Sequence, residues 1–274
     1  MERAYFTIED DFDAIIRENL ANVVEVQKIP TGWTNYVFIA TTGADTRYIF
    51  RFPRNDFWVD CLSKEVAFNR FVRGKVKVVT ARQTIHRDKG RIFSKHRMIP
   101  GVVLQEAYPT MTDRQKQRLA VDLADYIADV QSINLDGVES QMASDFLCRL
   151  AESTDNGDYD FSKMDRLRQM EAVRCPCHGD LNPGNIILDK RGRLKAVLDY
   201  AFVAYSSDIH DLARIIGRLP SDFYRPMVDE FEARTGKKVD RDDLGYLVEL
   251  WRYVEIDYIK YMARCHKDVE LPKF

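Results

Sequence analysis

The stretch CHGDLNPGNIILD, Cys177 to Asp189, sets His178, Asp180 and Asn185 in a loop that Pro183 and Gly184 keep from coiling into a helix. Fourteen residues past Asn185, the apolar run AVLDYA carries a second carboxylate, Asp199. Two carboxylates and an amide make a set of hard oxygen donors. Such a set suits a reaction in which Mg2+ offsets the charge on phosphate oxygens while a carboxylate aims an alcohol in line. On this pattern Asp180 is the candidate catalytic residue, orienting the attacking hydroxyl and taking its proton late, and His178 braces the loop. Asn185 and Asp199 are the candidate Mg2+ ligands.

Asp, Asn, Pro and Gly are also ordinary turn formers, so the loop alone could be no more than a turn. Its spacing argues otherwise. His178, Asp180 and Asn185 stand as in the H-R-D-x-x-x-x-N catalytic loop of protein kinases, and Asp199 takes the place of the metal-binding Asp that follows there at a strand end.

Elements to position these groups are legible on both sides. NVVEVQKIP, NYVFIATTG and TRYIFRFPR read as β-rich runs, the last alternating Tyr48, Phe50 and Phe52 against Arg47, Ile49 and Arg51. One helix, opening near Ser63 within CLSKEVAFNRFV, interrupts this sheet, and further strands are joined by the RDKG turn before Pro100-Gly101. Thr112 and Gln115 form a capping-box pattern ahead of a helix with Leu119, Leu123, Ile127 and Val130 on one face. Helices are expected over 141–152, 162–173, 209–217, 222–234 and 241–264, broken only by a hairpin of NIILD and LKAVLDYA across KRGR. The fold class is therefore α+β, with an antiparallel sheet lobe over 1–100 and a mainly helical lobe over 101–274.

Bulk properties narrow the function. With 41 basic and 43 acidic residues the formal charge is −2 and no half is strongly basic, so nucleic acid is not an expected partner. The acidic start and the lack of any long apolar run point away from a secretory leader and a membrane, and to the cytoplasm. Five scattered Cys fit reduced thiols better than a disulfide framework. The CPCH run, Cys175 to His178, lacks a second ligand pair at zinc spacing, since Cys265 and His266 stand alone far downstream.

CHGDLNPGNIILD followed by AVLDYAFVAYSSDIHDLA resembles the aminoglycoside phosphotransferase family and its choline kinase-like relatives, small-molecule kinases with a bilobal protein-kinase-like fold. The likeness runs from Gly32 to at least Ala213. It implies a nucleotide donor, ATP or GTP, with Mg2+, and an alcohol acceptor, first of all an aminoglycoside. By position, Asp180 takes the catalytic role, Asn185 and Asp199 bind metal, and Asp208 and Asp211 form the acidic pair that props the loop. Arg51 replaces the usual strand Lys as the phosphate clamp, with Glu65 orienting it. Gly32, Thr34 and Asn35 occupy the place of the phosphate lid, although that turn holds a single Gly. Met98 and Ile99 open the hinge whose backbone would meet the purine. Ala201 stands where protein kinases have the Gly after D-F.

The acceptor side is less constrained. Glu249, Trp251 and Glu255 on the last helix, together with Asp208, form a candidate surface for a cationic alcohol, although an amphipathic helix with buried aromatics would carry the same letters. Choline, ethanolamine, a macrolide or another alcohol would fit the same chemistry. A monomer or weak dimer is expected. Other classes are a nucleotide-binding pseudokinase and a metal hydrolase using His178, Asp180, Asp199 and His210.

Overall fold

The computed structural model describes residues 4–30, 32–135, 141–154 and 159–265. Thr31 of the Gly32 turn and His266 lie outside them. The chain divides into two compact units: one takes the residues up to Arg70, Ala81–Met98 and the stretch from Ile259, the other Phe71–Thr80 and Ile99–Tyr258.

The first unit holds α1 (Phe12–Asn19), β1 (Val23–Ile29), β2 (Asn35–Thr42), β3 (Arg47–Pro53), α2 (Asp56–Val72, into the second unit), β4 (Thr84–Asp88) and β5 (Arg91–Arg97). The strands form one antiparallel sheet in the order β1-β2-β3-β5-β4. Period-2 alternation sends Phe50 and Phe52 into a core with Phe6, Phe12, Ile15, Ile16, Phe38 and Phe93, while Arg51 faces the other way. Fully burying one such Phe contributes about 1.5–3 kcal/mol. Lys89 and Gly90, at φ 47° and 84°, turn β4 into β5 in the left-handed conformation that suits a tight hairpin.

Two features of this unit differ from the sequence reading. A second helix, α1, precedes the sheet, capped by Asp11, whose side chain accepts the Ala14 N–H at 3.0 Å. Its Phe12, Ile15 and Ile16 are buried at i, i+3, i+4 spacing within an otherwise polar run. The expected helix, α2, starts seven residues ahead of Ser63, because Asn55 Oδ1 caps it by accepting the Trp58 N–H at 3.1 Å. Ser63 lies inside, its hydroxyl donating back to the Val59 carbonyl.

The second unit runs β6 (Val102–Val103), α3 (Leu104–Ala107), α4 (Asp113–Gln131), α5 (Ala143–Ser153), α6 (Asp165–Met170), β7 (Arg174–Cys177), β8 (Ile186–Leu188), β9 (Leu194–Val197), β10 (Ala204–Ser207), α7 (His210–Ile216), α8 (Tyr224–Thr235) and α9 (Arg241–Cys265, whose end from Ile259 belongs to the first unit). The expected β8–β9 hairpin is present and gains β6 as a third strand. The helix expected over 162–173 ends at Met170, since Arg174–Cys177 pairs with β10 as a separate two-stranded ribbon. Tertiary pairing overrides local preference there.

Cys61 and Cys177 are buried, Cys148 and Cys175 partly so, and Cys265 is exposed, all as free thiols. Burial pushes the Cys175 thiol up to about 12 and raises Cys177 as well. Burial thus disfavours the thiolate at both positions. Among the described residues no group of three or more His, Cys, Asp or Glu could hold a metal ion, and no helix is long and apolar enough to cross a membrane.

The capping box at α4 is complete: Thr112 Oγ1 accepts the Gln115 N–H at 3.3 Å and Gln115 Oε1 accepts the Thr112 N–H at 2.9 Å. Thr112→Ala should cost about 1 kcal/mol, read as a lower urea midpoint with unchanged slope.

Candidate active site

The β8–β9 hairpin brings two of the sequence-predicted residues to one end. Ile186 pairs with Val197, and the Asn185 carbonyl accepts the Leu198 N–H at 2.8 Å, so Asn185 and Asp199 leave the ladder side by side. Asp199 holds φ 62°, a left-handed conformation uncommon outside Gly that marks a constrained turn. Asn185 Nδ2 donates to Asp180 Oδ2 and to the Asp180 carbonyl, each at 3.0 Å. With its nitrogen so used, the amide keeps its oxygen for another partner. Asn185 and Asp199 thus fit Mg2+, which takes one or two protein oxygen ligands when phosphates and water supply the rest.

The loop before Asp180 is held from beneath. Asp211, buried near the start of α7, accepts the His178 N–H at 2.8 Å and the Gly179 N–H at 3.0 Å. Gly179 sits at φ 81°, and a Cβ there would collide with the Phe202 carbonyl. The His178 ring is fully buried, with Nδ1 accepting the Asp180 N–H at 3.2 Å and Nε2 paired with the Leu198 carbonyl at 3.0 Å. These partners require the neutral ring with its proton on Nε2. Burial lowers the His178 pKa against the pull of Asp211 and Asp180. His178 is a brace in this geometry, with both nitrogens engaged.

Sequence reasoning missed Arg214. Its side chain is 5% exposed, donates to Asp180 Oδ1 through Nη2 and to Glu255 Oε1 through Nη1 at 2.5 Å, and lies over the Trp251 ring at 3.9 Å. Burial opposes its charge, but Asp180 and Glu255 outweigh that and leave its pKa raised. Arg218 pairs with the same Glu255 oxygen at 2.5 Å. Arg214 stands three residues after Asp211 on one helix, and that spacing puts both on the same face.

The four acceptor-side candidates do not gather in one place. Trp251 and Glu255, at i, i+4 on α9, both reach Arg214. Glu249 is two-thirds exposed and pairs with Arg252 at 2.6 Å, because two residues before Trp251 is about 200° around the helix. Asp208 pairs with Lys237 at 3.1 Å, and it is Asp211 that holds the loop N–H groups. His210 is fully buried, Nδ1 on Ser206 Oγ at 2.7 Å and Nε2 accepting the Trp251 indole N–H at 3.2 Å. Both of its nitrogens are taken, which removes the ligand that a metal hydrolase would need.

The first unit contains the nucleotide-side candidates. Arg51 Nη1 donates to both Glu65 oxygens at 2.6 Å, with the Glu65 side chain 2% exposed. Beside this pair, burial and the Arg51 charge push His96 down to about 4. In the Gly32 turn, the Gly32 carbonyl accepts Arg54 Nε at 3.1 Å and the Thr34 carbonyl accepts the Arg54 N–H at 3.2 Å. Arg54 also covers the Tyr36 ring at 3.8 Å, and Asn35 Nδ2 donates to Thr34 Oγ1 at 2.7 Å. The Met98 N–H donates to the Arg47 carbonyl at 2.8 Å, so it is spent within the sheet, and the chain passes from one unit to the other between Met98 and Ile99.

Buried histidines give the fold an acid limit. His96 and His210 fall to about 4 and about 3 from the ordinary 6.5, His210 through burial first and Arg214 second. As pH drops below 6.5 the unfolded chain takes up protons that the folded chain refuses, so stability is full above 6.5 and declines towards 4. Urea midpoints measured from pH 7.5 downward should fall through that window, and His210→Gln should flatten the decline.

A comparison with curated proteins gave no match. Solved structures match well in shape. The GDP and kanamycin complex of APH(2")-IIia has a TM-score of 0.71 at 22% identity over 93% of each chain. An aminoglycoside-3'-phosphotransferase of type VIII gives 0.70 at 16%, covering 89% of this chain and 98% of that one. The macrolide 2'-phosphotransferase MphH from Brachybacterium faecium gives 0.62 at 13%, covering 96% and 98%. At such identities the shared property is the fold. The family model described as "Phosphotransferase enzyme family" matches residues 25–247, and the chain belongs to that family of small-molecule phosphotransferases.

Proposed function

We propose that this phosphotransferase moves the γ-phosphoryl group of ATP or GTP to a hydroxyl of a small molecule, with Mg2+. The observation that carries this reading is the union of Asp180, bonded to Asn185, with the hairpin end from which Asp199 also departs. Asp180 orients the acceptor hydroxyl and receives its proton as the new P–O bond forms and the bond from the γ-phosphorus to the β–γ bridging oxygen breaks, releasing the nucleoside diphosphate. Asn185 and Asp199 supply the metal's protein ligands. When bound, Mg2+ neutralises charge on the transferring phosphate oxygens. Arg51, aligned by Glu65, clamps donor phosphates with its planar guanidinium. The amides of Gly32 to Asn35 cover those phosphates, and the purine edge meets the backbone of Ile99 and the carbonyl of Met98, whose N–H stays on Arg47. Relatives solved with GDP and with ADP support a nucleotide donor.

For the acceptor, an aminoglycoside is the first choice, supported by relatives solved with kanamycin and gentamicin. Engagement of Glu255 by two arginines and of Glu249 by Arg252 means that a cationic acceptor must displace an existing ion pair to use either carboxylate.

Asp180→Asn should lower transfer by about 10²–10⁴-fold while leaving nucleotide affinity near that of the unmutated chain. Full turnover in that variant would remove Asp180 from its role. Chelation with EDTA should stop triphosphate consumption, and added Mg2+ should restore it; consumption that ignores chelation would refute the metal assignment and a pseudokinase would show none at all. A turnover panel of aminoglycosides, macrolides, choline and ethanolamine with both ATP and GTP identifies the acceptor. Absence of aminoglycoside turnover beside transfer to another alcohol would discard the first choice.

A further inference from the structure

We infer that Arg214 is a positioning residue for the reaction, aiming the Asp180 carboxylate and offsetting its charge beside the triphosphate. The inference rests on the proposed function of Asp180. The carboxylate is gripped on both oxygens, Oδ1 by Arg214 Nη2 and Oδ2 by Asn185 Nδ2. Rotation about its terminal bond would break one contact or the other. Arg214 is itself fixed on two further sides, by Glu255 at 2.5 Å and by the Trp251 face at 3.9 Å, and its Nε–H is buried without a partner. A guanidinium that spends burial and an unsatisfied donor to reach a partly buried carboxylate is an expensive way to hold a loop. The loop does not need it, because Asp211 already binds the His178 and Gly179 N–H groups.

What Arg214 adds is charge and direction. A bare carboxylate facing the phosphate oxygens would repel them, and the guanidinium offsets that repulsion in a site where water screens little. Two oxygens held by planar donors leave the remaining lone pairs of Asp180 pointing in set directions, which is where an incoming hydroxyl must bond. Trp251 and Glu255 then act through Arg214, as platform and anchor.

Two measurements test this. The first is a double-mutant cycle on thermal stability with Arg214→Met and Asp180→Asn. Arg214→Met leaves Asp180 without its cation, so Asp180→Asn should raise the melting temperature of that variant while lowering that of the unmutated chain. Additive shifts would show that the pair does not exist in solution and overturn the inference. The second follows transfer from MgATP or MgGTP to the fastest alcohol of the acceptor panel. Arg214→Met should lower kcat by about 100-fold with acceptor and nucleotide KM within threefold, as misaimed catalytic groups do. Arg214→Lys, which restores charge without the planar fork, should regain about tenfold of that loss. A kcat for Arg214→Met within twofold of the unmutated enzyme, or above it, would reduce Arg214 to a packing residue. If the unmutated chain transfers to no alcohol, the proposed function falls and takes this inference with it, whatever the stability cycle shows.

Discussion

Burying the Asp211 carboxylate is the constraint from which the site follows. Burial raises its pKa, and an ionised group in that position must find donors or pay heavily. It finds two consecutive backbone N–H groups, those of His178 and Gly179. Such a pair can converge on one carboxylate only if the chain turns sharply between them, which is why Gly179 occupies positive φ. Asp180 is then the first side chain beyond the turn, and its position is inherited from a helix residue 31 places later in sequence.

From Asp180 the polar contacts run in two directions. Towards the hairpin they reach Asn185, whose carbonyl ties it to Leu198 next to Asp199. Towards the last helix they reach Arg214, Glu255 and Arg218, two carboxylates against two guanidiniums. Ion pairs buried to this degree add little net stability, because desolvation consumes most of their Coulomb energy. Their value lies in direction: each member has few alternative partners inside the fold. The Arg51–Glu65 pair in the other unit is likewise buried, there with a strand residue against a helix residue, and a neutral His96 stands beside it.

Much of this was readable before any coordinates. The strand alternation around Arg51 put Phe50 and Phe52 on the core face, and the capping box of α4 and the β8–β9 hairpin came from local rules that tertiary structure left alone. The family resemblance rested on a loop whose spacing is chemical rather than decorative. Failures came where long-range contacts decide. α1 is short, and its three buried apolar residues sit in a stretch rich in acids. The ribbon of β7 and β10 exists because two distant segments meet, which no local window can see. Grouping Glu249 with Trp251 ignored helical angle, and pairing Asp208 with Asp211 gave both the same work when only Asp211 reaches the loop amides. Arg214 was overlooked because an Arg on a helix is ordinarily a solvated residue. Only its spacing from Asp211 distinguished it.

The interleaving of the two units bears on how the chain acquires its shape. The sheet unit draws on residues up to Arg70, on Ala81–Met98 and again on the stretch from Ile259, with Phe71–Thr80 and Ile99–Tyr258 of the other unit in the gaps. A nascent polypeptide emerging from the ribosome therefore holds the five strands of the sheet long before its last segment arrives, and that unit waits unfinished while roughly 160 residues of helix and ribbon are made. Closing so large a loop costs entropy that local helices never face. During that interval β1 and β4, at the two margins of the sheet, are the edges on which premature association between neighbouring chains would begin.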